Sequence, residues 1–332
     1  MQFINNLRGG AILLILLVHS VGTINQGNSI VVKSLEILLD NSTILFVMIA
    51  GYLFLFSTNN FNYIKYLKNK LSTVVVPYII ISIPAIIIYL TGLKSDHYYI
   101  NMDWFHSLNL IYQYLYMMVT GVHLGPLWFI PMIVIFYLLS PIFIYLKNKK
   151  LLEFAFFVSL ILALFTGRPT FSENNLIWII YFLPSYLLGM VMMQRPSIYE
   201  VLKKYSLILL IIASAIYVAI LVPVSLKSSI NSSMDLLLKI FLSIILFALS
   251  KQYLFEKNRW LNMFARISFY LYFIHGYFTA VFKIIYFKFF AAEITGMLAV
   301  SISFTTITLL SIISFIFIKL ILKDKSKIFI GI

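Results

Sequence analysis

The sequence predicts an all-α integral membrane protein: one domain over residues 1–332, a bundle of about ten transmembrane helices with both termini in the cytoplasm. Three observations predict it. Hydrophobic residues make up 62% of the chain and charged residues only 11%, where a soluble domain carries roughly 45–50% and about a quarter. The apolar residues fall in runs of about 20, the length that crosses about 30 Å of hydrocarbon. Lys and Arg load every second connection between those runs. With a mean hydropathy of +0.99, a soluble fold has nowhere to put so much apolar surface, because its exterior must still be wet. Disordered, collagenous and disulfide-knotted chains are excluded by the same figures.

The elements follow in order. The chain opens MQFINNLRG and enters apolar sequence with no small-x-small cleavage site, so 9–25 reads as an uncleaved first span. The second and third spans cover 35–56 and 71–92. The longest connection, about 93–124, carries Asp96, His97, Asp103, His106 and His123. Its aromatic-rich stretch from Trp104 to Met118 suits an interfacial or re-entrant helix. Further spans are expected at 125–146, 151–167, 175–193, 206–226, 234–250, 266–287 and 296–322, the fifth and eighth being short. A basic tail, about 323–332, ends the chain, and no repeat or appended soluble domain interrupts it.

Orientation rests on the cations. Arg8, Lys65, Lys68, Lys70, the Lys147–Lys150 group, Arg195, Lys203 and Lys204, the 251–266 group and the 319–327 group hold 18 of the 25 Lys and Arg residues. That side is assigned to the cytoplasm, which turns the 93–124 connection outward. Topology therefore accounts for the formal charge of +14, and no nucleic-acid partner is expected. The chain has no cysteine, hence no disulfide, thiolate metal site or cysteine nucleophile.

Two ionisable residues stand in the first span, Arg8 and His19, eleven positions apart. Eleven steps of about 100° bring them within about 20° of one face, about 16.5 Å apart along the axis. Ionisable groups inside a membrane are costly and mark functional sites by default; a snorkelling Arg and a packed His are the plain alternative. The spacing suits coenzyme A, a long donor with an anionic nucleotide end and a thioester tip. A guanidinium pairs with phosphates, and an imidazole near its working pKa serves as a general base. Both groups are then expected to face one cavity, and separate cavities would contradict the arrangement.

At these residues the chain resembles the membrane-bound acyltransferase family 3, the O-acyltransferases of bacterial surface polysaccharides and related substrates. Asn5-Asn6-Leu7-Arg8 through His19 fits the family's Arg, ten residues, His frame, with Asn5 where Asp is usual. Phe46 through Gly51-Tyr52-Leu53 fits a second motif, with Ala50 in place of Ser. Lys70 and Pro77-Tyr78 fit a third, with Thr73 where a second basic residue is common. Leu127-Trp128-Phe129 through Ser140-Pro141, and Ile267-Ser268 through Tyr272 and His275, fit two more. The motifs run in family order from residue 5 to 275.

The resemblance implies transfer of an acyl group, usually acetyl, from cytoplasmic acyl-CoA to a hydroxyl of a surface polysaccharide or its lipid-linked precursor, at the bacterial cytoplasmic membrane. Acyl-CoA is a co-substrate, and no permanently bound cofactor is expected. By position His19 is implied as the catalytic residue and Arg8 as the donor contact. A fused periplasmic domain, found in some members, is not in this sequence, so the chain either completes transfer itself or hands the group to a separate periplasmic or extracellular transferase.

Other candidates each have a plainer reading. Ser268, Tyr272 and His275 share a helix stripe, with Arg266 at its cytoplasmic end; they form a second wall of a donor tunnel or a packing stripe. Ser268 as nucleophile is disfavoured, lying about 10 Å of helical rise from His275. Asp40 is placed to orient His19 or to cap a helix. Trp128 suits a sugar platform or an interfacial anchor, and Lys70 suits CoA phosphates or the topology signal. Asp235 and Lys239 read as a local helix pair, and Lys283 and Lys288 as snorkelling. His97, His106 and His123 match no compact ligand spacing, so no metal is expected. The competing function is a multi-span transporter or flippase for a glycan or lipid-linked intermediate, which Pro184 inside a span would suit. A catalytically silent relative is a third reading.

Overall fold

Helix starts in this chain are set by short polar caps between apolar runs. The computed structural model describes residues 2–27, 29–169, 175–225, 231–254, 256 and 258–323. Ser29, Asn62, Asn101, Asn109, Asn231 and Asn258 each accept a backbone N–H in the first turn of the helix that follows, which satisfies a donor that hydrocarbon leaves unpaired. The resulting order is α1 (Gln2–Val21), α2 (Ile30–Leu39), α3 (Thr43–Phe56), α4 (Tyr63–Lys70), α5 (Val76–Leu90), α6 (Met102–Ser107), α7 (Leu110–Thr120), α8 (Phe129–Leu138), α9 (Ser140–Asn148) and α10 (Leu152–Thr166). Then come α11 (Asn175–Gln194), α12 (Ile198–Lys204), α13 (Ser206–Ser225), α14 (Ser232–Tyr253), α15 (Arg259–Phe289) and α16 (Gly296–Leu322). Among the described residues no strand occurs.

Among the described residues eight helical stretches are long and apolar enough to cross a membrane, and a ninth results if the pair Leu110–Thr120 and Gly125–Leu138, bent by 78°, is one crossing. Two of the about ten expected spans are not long single helices. The fifth expected span becomes α10, only 15 residues long and about 22 Å at 1.5 Å per residue, ended by Gly167 at φ +66°. The fourth is broken at Leu139–Ser140 and bends against α7 from the preceding connection. Within the second expected span the helix also breaks, at Asp40–Ser42, where Asn41 adopts φ +58°. Leu71–Val75 widens to a π-turn just before Pro77, where the proline ring would otherwise strike the carbonyl four residues back. The expected basic tail lies outside the described residues beyond Lys323.

Two helix pairs form the centre. α3 lies against α11, and α1 against α15. A Cβ added at Gly51 would stand 2.0 Å from the Tyr186 carbonyl oxygen, and one at Gly189 would stand 1.9 Å from that of Met48. Only glycine lets these backbones approach so closely, the usual packing device where lipid supplies no hydrophobic drive between helices. Long apolar side chains on α10, α13 and α16 face outward, as a hydrocarbon surround permits.

A polar cluster is buried beside the α2–α3 break. Lys239 Nζ donates to Asp235 Oδ1 at 2.7 Å and to the Ile37 carbonyl at 2.5 Å. Asn41 Nδ2 donates to Asp235 Oδ2 at 3.2 Å and to the Tyr181 hydroxyl at 2.6 Å. The expected local pair of Asp235 and Lys239 is therefore also a tie from α14 to the broken helix. It satisfies a carbonyl that the break frees.

Candidate functional site

Helix α1 presents Arg8 near one end and His19 near the other. The Arg8 guanidinium is half-buried against α15, where its Nη2 donates to the Ala265 carbonyl at 2.5 Å. Ser268 Oγ donates to the same carbonyl at 2.9 Å. Arg8 Nε is buried without a hydrogen-bond partner. Beside it lies a cavity of about 280 Å³, lined among others by Arg8, Ser57, Tyr66, Asn69, Lys70 and Tyr137. Lys70 Nζ stands 5.0 Å from the Tyr137 ring centre and 5.6 Å from that of Tyr66. Two cations thus share one cavity and among the described residues no carboxylate lines it, an arrangement suited to an anionic group.

His19 lines a second cavity, of about 350 Å³, at the other end of α1. Its ring centre is 5.0 Å from that of His275. His275 is fully buried, and its Nδ1 lies 2.9 Å from the Leu271 carbonyl. A carbonyl only accepts, so Nδ1 carries the proton and Nε2 keeps a lone pair; that Nε2 has no partner. His123 repeats the pattern, with Nδ1 3.0 Å from the Met117 carbonyl and Nε2 unpartnered. His97 is fully engaged: Nδ1 accepts the Tyr99 N–H at 3.1 Å and Nε2 donates to the Val122 carbonyl at 3.1 Å.

One continuous slot joining Arg8 to His19 was the expectation, and the structure corrects it: the two residues line separate cavities. The partition is aromatic. Phe46 and Phe269 line the Arg8 cavity. The Tyr272 ring stacks beside Phe46, centres 6.2 Å apart and planes 16° apart, and meets Phe129 at 5.2 Å. The Tyr272 hydroxyl donates to the Pro126 carbonyl, and Pro126 lines the His19 cavity. Tyr272 thus touches the wall of each cavity and lines neither. Helical spacing reports face and rise, while neighbouring helices decide what lies between two residues on that face.

The other expected residues are placed as follows. Ser268, Tyr272 and His275 do share one buried stripe of α15, each bonded to a backbone carbonyl. Arg266 is exposed and lines neither cavity. Asp40 caps α2; its Oδ2 accepts from Arg168 Nη1 at 2.7 Å and its Oδ1 accepts the Asn41 N–H at 2.8 Å. Trp128 packs at a tilt against Trp178, ring centres 4.3 Å apart, and against Phe182 at 5.3 Å. It lines an apolar crevice of about 450 Å³ with Tyr78, Met118 and Ile135, away from His19. Among the described residues no group of three or more His, Cys, Asp or Glu side chains could hold a metal ion.

The order of these residues matches a known family. A family model described as an acyltransferase domain covers residues 1–320. The chain belongs to acyltransferase family 3. Nothing among the curated proteins or the solved structures matches it. Family 3 membership makes acyl transfer the general chemistry of this membrane domain. Within this family 3 chain, Lys94, Thr279, Lys283 and His123 line the His19 cavity without having been singled out for it. For Lys94 and His123 a signal existed, since the cation pattern predicts the 93–124 connection on the same side as the His19 end of the first span. Thr279 and Lys283 follow His275 by four and eight residues, close to one helix face, so α15 periodicity carried a second signal.

Proposed function

We propose that this protein is an O-acyltransferase of the bacterial cytoplasmic membrane that moves an acyl group, acetyl foremost, from cytoplasmic acyl-CoA to a hydroxyl of a surface polysaccharide or its lipid-linked precursor. The observation that carries the reading is the acyltransferase family model over residues 1–320. The single slot expected for Arg8 and His19 is not what the structure has, and the reading is revised to separate donor and acceptor cavities at opposite ends of α1, one lined by Arg8 and Lys70 and one by His19. With the N-terminus in the cytoplasm, as the cation pattern directs, CoA phosphates bind at Arg8 and Lys70. The acceptor meets the thioester from the far side. Tyr272 stands between the two cavities, and admitting the pantetheine arm requires its ring to swing off Phe46 and Pro126. A closed partition keeps water from the thioester.

In the transfer step, His19 takes the proton of the acceptor hydroxyl as its oxygen attacks the thioester carbonyl. A C–O bond forms, the C–S bond breaks, and the proton passes from His19 to the departing CoA thiolate. His275 is the orienting partner. Its Nε2 lone pair accepts an N–H from His19 after a small ring rotation, leaving the other His19 nitrogen free as base, in the manner of the carboxylate in a Ser-His-Asp triad. The test is chemical analysis of surface polysaccharide from a deletion strain and its complemented parent. Loss of ester groups with polymer retained supports acyl transfer. Loss of the polymer itself supports a flippase and overturns the reading.

A further inference from the structure

The His19 cavity contains more than a base. Five elements meet there: the end of α1, the end of α5 at Tyr89, the segment around Lys94 to Tyr99, the segment around Val122 to Pro126, and α15 from Gly276 to Lys283. Its ionisable lining residues are Lys94, Lys283, His19, His97 and His123, with Tyr89 and Tyr99, and among the described residues no carboxylate lines it. Asp96, exposed beside Lys94 in sequence, is outside the lining. Neither lysine takes part in an ion pair among the described residues. Lys94 Nζ rests 5.0 Å over the Tyr89 ring, and both lysines are exposed at the mouth. Deeper in, two buried polar atoms have no partner: His123 Nε2, on a side chain only 4% exposed, and Thr279 Oγ1. Buried polar atoms are usually paired; of the thirteen side-chain atoms without a partner among the described residues, these two belong to residues that line this cavity, which leaves both able to bond a polar occupant. His123 Nε2 can only accept and Thr279 Oγ1 can do either, which is what sugar hydroxyls require.

We infer that the cavity is a subsite for an anionic saccharide, a sugar bearing a carboxylate or phosphate, with Lys94 and Lys283 holding the charge and His123 and Thr279 holding hydroxyls. It rests on the acyl-transfer reading only in making that saccharide the acceptor. Charge at the mouth raises the local concentration of an anion, and the neutral, unpartnered groups behind it set its orientation. A phospholipid headgroup offers the same anionic chemistry, so the test separates the two sources.

The full-length protein is placed in nanodiscs of phosphatidylcholine, and carbethoxylation of His19 and His97 by diethyl pyrocarbonate is followed by peptide mass spectrometry. Glucuronate and glucose 1-phosphate are the probes, with methyl glucoside as the neutral control at equal concentration. The expected result is at least fivefold slower His19 modification with the anionic probes than with the neutral one. In the Lys94→Gln/Lys283→Gln double variant that difference disappears, while CoA binding at the Arg8 cavity is unchanged and reports a folded protein. Equal protection by neutral and anionic sugar, no protection by either, or protection that survives in the double variant overturns the assignment. So does protection that arises only when phosphatidylglycerol is added to the nanodisc, which gives the lysines to the membrane. Each of these failures leaves the acyl-transfer reading standing, since donor binding and ester formation are measured separately.

Discussion

Replacing Arg8 by Gln should weaken CoA binding without unfolding the protein. The Ala265 carbonyl that Arg8 Nη2 now bonds keeps a second donor, Ser268 Oγ at 2.9 Å, so no buried acceptor is orphaned. Arg8 Nε is already unpartnered, so its removal loses no internal bond. What is lost is one charge-assisted contact to a phosphate, about 1.5–3 kcal/mol. At 1.4 kcal/mol per tenfold, the dissociation constant rises roughly ten- to hundredfold. Arg8→Lys keeps the charge but not the planar fork, and should fall between Gln and the wild type. Titration calorimetry of the detergent-purified protein with CoA reads the effect, and the melting temperature should stay within a few degrees of the parent. Unchanged CoA affinity in Arg8→Gln would refute the donor role of this cavity.

Further outcomes follow from the same geometry. Tyr272→Ala removes the ring between the cavities, so acceptor-independent acyl-CoA hydrolysis should rise severalfold while Tyr272→Phe, which keeps the ring, stays near the parent; equal rates in both variants would show that the ring is no partition. Lys239→Met strips the buried Asp235 of its 2.7 Å partner and should cost about 3–5 kcal/mol in denaturant unfolding, with the Asp235→Leu/Lys239→Met pair recovering much of it; no loss in the single variant contradicts the buried-charge account. His97 lies in the connection between α5 and α6, where burial holds its imidazole below its ordinary value of 6.5. The unfolded chain therefore binds the proton more readily, and the stability the neutral ring provides is complete above about pH 6.5 and lost as pH falls toward the lower folded value. Amide exchange at Tyr99, whose N–H that ring accepts, should accelerate between pH 7 and pH 5 after correction for intrinsic rates, and unchanged protection counts against it.

The membrane-spanning character was legible because hydrocarbon demands long apolar helices and little else. The breaks were not. Four polar residues, Asp40-Asn41-Ser42-Thr43, interrupt the 35–56 run, but the break itself depends on Asn41 turning to φ +58° beside a buried cluster drawn from α11 and α14, partners that no local pattern announces. The stripe Ser268, Tyr272, His275 was readable from helical period, and so was the shared face of Arg8 and His19. The partition between those two was not, because it depends on how Phe46 of α3 and Phe129 of α8 pack on Tyr272. Lys94 and His123 come to His19 only when the 93–124 connection folds back over α15, where Gly276 leaves room for Leu124 and Pro126.

The central claim is that His19 is the base for acyl transfer. Its most direct test uses purified protein in vesicles with labelled acyl-CoA, surface glycan extracted from a deletion strain as acceptor, and no ion gradient. The wild type should form alkali-labile glycan ester, and His19→Ala should form none while binding CoA with parental affinity. Ester formation by His19→Ala at the parental rate would contradict the account.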